Sequence, residues 1–290
     1  MQIDNQIRLS SGYQLGYARY GRDNGIPVFY FHGLPGSRRE CGLLHQACLD
    51  LNVQLIAPDR PGYGLSEMVA GSRLRQWPQT VVELADQLGL TRFYLFAVSG
   101  GAPYALACAS LLRERVMGTG ICCGLAEVAN AELRTNMPVY ARLGFRLAQW
   151  NPAWLKICYG LPVEAAARFM PGSAIDILAW IQGEPDCSVL RQPEIKRFFA
   201  ENLREAFRQG SSGSVADMRA ASEPWPFEPS PIKSLKLWHG RQDRLVPATH
   251  SEWLAGIVPS TRLETVEGEG HFSLPVHYAT RMVEALVQNR

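Results

Sequence analysis

Ser99 stands in the run Ala97-Val98-Ser99-Gly100-Gly101, directly after an apolar run and directly before a helical pattern. A serine hydroxyl is a poor nucleophile at neutral pH, and it attacks a carbonyl only when a base takes its proton. A sharp strand-to-helix turn would hold such a serine in a strained backbone conformation with its hydroxyl projecting at the sheet edge. The chain turns that tightly only when the residues two before and two after are small, a need that Ala97 and Gly101 meet. The chemistry this predicts is acyl transfer through a covalent acyl-enzyme.

The base would be an imidazole, and six histidines compete for the role. His271 lies in Gly268-Glu269-Gly270-His271-Phe272-Ser273, on a loop after the last predicted strand, where it could meet Ser99 at the carboxyl edge of a sheet. His45 and His250 fall within helical patterns, and His277 begins the final one. His32 and His239 each precede a glycine at a strand end, where a structural hydrogen bond to the loop is the expected role. An imidazole base needs a carboxylate to fix its tautomer and stabilise its charged form. Asp243, in His239-Gly240-Arg241-Gln242-Asp243, lies beyond the preceding strand at the same edge, while Glu127 is a second conceivable acid and Asp59 reads as structural.

The tetrahedral intermediate of acyl transfer also needs two fixed N–H donors aimed at its oxygen. The loop His32-Gly33-Leu34-Pro35-Gly36-Ser37 can supply one from Leu34, and Gly100 can supply the other; Pro35 has no N–H and stiffens the loop instead.

These residues need a scaffold that delivers three loops to one edge. From Val28 onward the chain alternates short apolar runs, which read as strands buried on both faces, with longer helical patterns. The predicted strands are Val28–Phe31, Val53–Ala57, Phe93–Val98, Val116–Cys123, Leu235–His239 and Arg262–Val266, preceded by an antiparallel pair near Ile7 and Leu15–Tyr20. Helical spacing covers Arg39–Leu49, Val81–Leu88, Ala102–Leu112, Thr249–Ile257 and Val276–Val287. The rhythm breaks between about Ala126 and Pro231, where helical patterns such as Glu194–Arg208 follow one another without a strand. The expected organisation is therefore an α/β core, residues 1–125 and 232–290, carrying a helical insertion at 126–231. Its large apolar residues, Trp150, Trp154, Tyr159, Phe169, Met170 and Trp180, are expected mainly to pack the insertion's own core.

A hydrophobic share of 47% suits a large buried core and excludes a disordered chain. A net charge of +2, with both signs interspersed, offers no block that would track a phosphate backbone or an anionic bilayer. The first residues lack the basic start and apolar run of a signal peptide, and no later stretch is apolar for long enough to span a bilayer. A cytoplasmic protein with a small-molecule substrate is expected, with no nucleic-acid or membrane partner. Seven cysteines at irregular spacing suggest neither a disulfide framework nor a zinc site, and read as buried free thiols.

Taken together, these motifs resemble the α/β-hydrolase superfamily from the His32-Gly33 loop, through Asp59-Arg60-Pro61-Gly62-Tyr63-Gly64-Leu65-Ser66, to Gly270-His271. The family's nucleophile motif carries glycine where Ala97 stands, and the order Ser, Asp, His along the chain is the family's own. The resemblance implies triad roles for Ser99, Asp243 and His271, oxyanion roles for Leu34 and Gly100, a lid role for the insertion, and no metal or organic cofactor. Within the superfamily the chain is similar to a group of mostly uncharacterised hydrolases with runs like Gly213–Asp217 and Pro224–Phe227. Relatives that use an aspartate nucleophile, the epoxide hydrolases and haloalkane dehalogenases, are argued against by Ser99. An esterase acting on a small to medium hydrophobic substrate is the leading expectation. Lactonase, carbon–carbon bond hydrolase, aminopeptidase and acyltransferase chemistry remain open on the same triad, as does a slow-turnover ligand sensor.

Overall fold

The computed structural model describes residues 1–69, 71 and 73–288. Eight strands form one sheet: β1 (Gln2–Arg8), β2 (Gln14–Gly21), β3 (Ile26–Phe31), β4 (Val53–Pro58), β5 (Phe93–Val98), β6 (Val116–Cys122), β7 (Leu235–Gly240) and β8 (Thr261–Val266). Their order is β1-β2-β4-β3-β5-β6-β7-β8. The first two strands are the predicted antiparallel pair, and β2 also runs antiparallel to β4; β3 through β8 are parallel.

The continuous apolar runs are explained by burial on both faces. Alternate residues of β3 and β5 enter opposite layers: Phe29, Phe31, Leu95 and Ala97 pack on one side, and Val28, Tyr30, Phe96 and Val98 on the other. The strand order decides where a site can form. The chain moves outward from β3 to β4, then crosses back to place β5 on the other side of β3. That reversal opens a crevice beyond the carboxyl ends of β3 and β5. The predicted oxyanion loop leaves β3 there, and Ser99 leaves β5.

Three helix boundaries differ from the periodicity. The helix expected from Val81 starts at Arg73 and runs through Pro78 to Gln87. Leu74 and Trp77 are buried, with Trp77 edge-on to Phe31 and Tyr104, so tertiary packing outweighs the missing proline N–H. The Arg39–Leu49 pattern divides into a 3-10 turn, Glu40–Leu44, and a helix, His45–Asp50. The last pattern divides at Tyr278 into Ser273–His277 and Ala279–Val287, so His277 ends a short helix rather than beginning the final one.

Between β6 and β7 every regular element is helical, from Ala131–Thr135 to Ser212–Ser222. The large apolar residues of this segment do not behave as expected. Trp150, Trp154, Phe169, Met170 and Trp180 are all exposed, and Tyr159 is half-buried with its hydroxyl 2.9 Å from Ser214 Oγ. Other residues fill the helical interior: Phe145, Leu155, Ile175, Leu190, Phe199 and Phe207 are buried beside Ala148, Ala167 and Ala179. Trp150 ends one helix, extended Asn151 separates it from the next, and Trp154, Ile157 and Leu161 lie exposed on the helical stretch that follows. All seven cysteines are free, and Cys158, in this segment, is exposed while the other six are buried. No described helix is long and apolar enough to cross a membrane.

Candidate active site

Ser99 sits at the junction of β5 with a 3-10 turn, Ser99–Gly101, that leads into the helix Ala102–Leu111. Its φ is +53°, a left-handed conformation that costs a non-glycine residue on the order of 1 kcal/mol or more. The strained turn predicted from residue size is therefore present. Gly100 and Gly101 are required by close approach: a Cβ at Gly101 would overlap the carbonyl oxygen of Phe31, and one at Gly100 would overlap Leu34 Cβ. Ala97 is fully buried, so a methyl group is accommodated where the family motif has glycine.

His271 and Asp243 meet. Nδ1 of His271 lies 2.7 Å from Asp243 Oδ2, and both residues are buried. The carboxylate is held in turn: Asp243 Oδ1 accepts the N–H groups of Leu245 at 2.9 Å and Val246 at 2.8 Å. An Nδ1–H donated to Asp243 leaves Nε2 with a free lone pair, the tautomer a general base needs. Burial disfavours the charged imidazole, but the charge and hydrogen bond of Asp243 outweigh it, and Asp186 and Glu40 add to the effect, so His271 is held above the ordinary histidine range. Burial also opposes the charged form of Asp243, yet His271 and His239 together keep its carboxyl well below the usual range.

Ser99 occupies the same sheet edge with 8% of its surface exposed. Among the described residues no hydrogen bond joins its hydroxyl to His271; serine–histidine pairs of this kind commonly tighten only with substrate. The β3 loop crosses beside it. An added Cβ on Gly33 would lie 3.7 Å from Ser99 Cβ, and one on Gly100 would lie 3.2 Å from Leu34 N. The Gly33 N–H is occupied by Glu40 Oε1 at 2.8 Å, whereas the Leu34 N–H has no acceptor among the described residues. Gly100 lies in the first turn of its helix, where amides lack an intrahelical acceptor. The two predicted donors are thus adjacent and available.

His32 and His239 make the hydrogen bonds to loop backbone expected of them, and His45 and His250 are engaged by backbone N–H groups elsewhere. His32 accepts the Arg60 N–H on Nε2, with Nδ1 2.9 Å from the Gly33 carbonyl. His239 is held between Ser251 Oγ and the Val246 carbonyl, each at 2.7 Å. His45 and His250 accept the N–H groups of Gly21 and Ala126. Glu127, the alternative acid, accepts the Trp225 N–H, and Asp59 is fully buried against Arg38 and the Leu65 N–H.

Cys123, His239 and Asp243 place donor atoms within 4.8 Å of one another. Their chemistry is poor for a metal, because Asp243 and His239 are committed to the hydrogen bonds above and burial pushes the Cys123 thiol far up, keeping it protonated.

Several residues that hold the site were assigned no role from the sequence, although Asp217 ends the Gly213–Asp217 run noted above. Asn202 Oδ1 accepts both the N–H and hydroxyl of Ser37, and its Nδ2 reaches Glu40 at 3.3 Å. Asp217 accepts from Arg60 Nε and Arg73 Nη1, each at 2.7 Å, and from the Tyr104 hydroxyl at 2.6 Å; Arg60 donates onward to the His32 and Gly33 carbonyls. Asp186 accepts the backbone N–H groups around His271. All three acceptors belong to the helical segment and reach the loops after β3 and β8, or Arg60 beside them, over more than 80 residues of chain.

This chain is a member of the alpha/beta hydrolase family, whose profile matches residues 28–286. It is 25% identical over 294 residues to 2-hydroxymuconate semialdehyde hydrolase of Pseudomonas putida, covering 99% of this chain and 94% of that one. Among solved structures it resembles a thermophilic esterase from Thermogutta terrifontis, with a TM-score of 0.69 at 21% identity over 97% of this chain and 96% of that one. It also resembles the enol-lactonase from Burkholderia xenovorans LB400, with a TM-score of 0.67 at 15% identity over 97% of each chain. The chain is a hydrolase of this fold.

Proposed function

We propose that the chain cleaves an ester or related acyl bond of a small to medium hydrophobic substrate through an acyl-enzyme on Ser99. The observation that carries this reading is the buried His271–Asp243 pair on the sheet edge that also holds Ser99 in a left-handed turn. Ser99 Oγ attacks the acyl carbon while His271 Nε2 takes its proton. The oxyanion that forms accepts the N–H groups of Leu34 and Gly100, in a site where burial strengthens each bond. His271 then returns the proton to the leaving alcohol, and a water activated by the same imidazole releases the acid. The helical segment acts as a lid over the crevice, and the substrate is a small molecule acted on in the cytoplasm.

The test is sustained turnover of p-nitrophenyl esters of increasing acyl length, together with labelling by a fluorophosphonate probe. A ligand sensor would label or burst once without further product. A second reading is favoured by the likeness to 2-hydroxymuconate semialdehyde hydrolase, namely hydrolysis of an unsaturated semialdehyde on the same three residues. Preference in kcat/KM between the two substrate classes decides between them.

The geometry predicts how the rate should respond to pH and to two substitutions. His271 works as a base only when neutral, and its pKa is raised above 6.5, so kcat/KM should fall as the pH drops through a value above 6.5. Asp243→Asn should move that limb to lower pH and cost about 10^4-fold in kcat, by removing both the charge and the tautomer control. A pH profile unchanged in the variant would count against Asp243. Gly100→Ala should lower kcat by about 10^2-fold or more with a smaller change in KM, because its methyl group displaces Leu34 and its amide. Steady-state kinetics on a folded variant provide the check.

A further inference from the structure

Asp186 opens a short helix, Asp186–Leu190, inside the helical segment, yet its side chain serves a loop of the core. It is 1% exposed. Oδ2 accepts the N–H of His271 at 2.8 Å, and Oδ1 accepts those of Phe272 and Ser273, each at 2.9 Å. These amides begin the turn that enters the helix Ser273–His277, so each would otherwise lack an acceptor. The fit is close on the other side as well, since a Cβ on Gly270 would lie 2.5 Å from Asp186 Oδ1. The Gly270 N–H is itself donated to Ser273 Oγ at 2.8 Å, which closes the turn around the histidine.

We propose that Asp186 is the positioning residue for His271: a carboxylate from the helical segment that grips the backbone carrying the base and lends it negative charge. The inference rests on the reading of His271 as general base. Asp243 fixes the ring through its side chain, while Asp186 fixes the main chain from which the ring projects. The segment covering the crevice is thereby also part of the apparatus that aligns the base, so a shift of this helix would move the imidazole.

The charged and titratable groups facing His271 come from three directions: Asp243 after β7, with His239 beside it; Asp186 from the helical segment; and Glu40 from the turn after β3. Cys123 adds a protonated thiol against the Gly270 carbonyl. Among these, Asp186 is the one bonded to the backbone of the base.

The experiment is Asp186→Asn, assayed across pH beside wild type and Ser99→Ala. An asparagine keeps one acceptor oxygen but turns an NH2 group toward the remaining backbone donors and removes the charge. The expected result is a fall in kcat of about 10–100-fold with KM nearly unchanged, since small misplacements of a catalytic group cost this much, and an acidic limb moved to lower pH. A variant that keeps both the wild-type kcat and the wild-type limb overturns the proposal, even if its Tm drops. A second measurement needs no variant: in the wild type the amides of His271, Phe272 and Ser273 should exchange with solvent as slowly as those of β7. Rapid exchange of these three would equally overturn it. Activity that survives in Ser99→Ala would instead remove the reading on which the inference is built.

Discussion

Ser99→Ala should reduce ester turnover by about 10^4- to 10^6-fold in kcat and abolish fluorophosphonate labelling, while leaving the thermal midpoint close to that of wild type. The size of the effect follows from the proposed covalent step. Without the hydroxyl no acyl-enzyme forms, and what remains is the help of the oxyanion donors and bound orientation to a water molecule. The fold should tolerate the change because the side chain loses one atom at a position where the hydroxyl makes no described hydrogen bond, and the left-handed turn is kept by Gly100, Gly101 and the packed strand. Labelling, kcat and a melting curve on one preparation test this together. Ester turnover within tenfold of wild type in a folded variant would show that Ser99 is not the nucleophile.

The largest loss of stability should come from Asp217→Ala. This carboxylate is 2% exposed and receives two buried guanidinium groups and a buried phenol. Burial alone would raise its pKa, but Arg60 and Arg73, aided by the Tyr104 hydroxyl, hold it at about 2. Removing it leaves two cations in the interior without a counter-charge, which typically costs about 3–5 kcal/mol. For a chain of this length that corresponds to a drop in Tm of roughly 5–8 °C by calorimetry. The sign of the pH effect follows from the depressed pKa. The contribution of Asp217 is present above its unfolded value near 3.8 and is lost as the pH falls toward 2, so the gap between wild type and variant should narrow over that range. Activity should fall too, because Arg60 also holds the His32 and Gly33 carbonyls of the proposed oxyanion loop. A stability loss under about 1 kcal/mol would show that the cations find other partners or water.

Much of the fold was legible in the order of residues. Continuous apolar runs marked β3 to β7, because a strand covered on both faces has no polar position to alternate with, and β5 was read to the residue. The small residues around Ser99 signalled the sharp turn for a similar reason: steric exclusion at a tight turn acts on neighbours in sequence, so it is written locally. The helical segment was legible as helical but not as packed. Periodicity records where large apolar residues fall, not which face meets a neighbour, and Trp150, Trp154 and Trp180 lie outside while Phe145, Phe199 and Phe207 lie within.

The sequence by itself thus determined the strand-and-helix rhythm, the edge on which Ser99, Asp243 and His271 lie, and the two amides beside the serine, since each depends on residue type at a strand end. Only the tertiary structure decided that His271 pairs with Asp243 while Glu127 serves Trp225, and that Asp186, Asn202 and Asp217 reach from the helical segment to the loops of the candidate site. A buried carboxylate or amide must find its partners, but its own position in the chain does not say where they are. That choice is made by the packing of distant helices, where the cost of an unpaired buried charge selects the one arrangement that satisfies it.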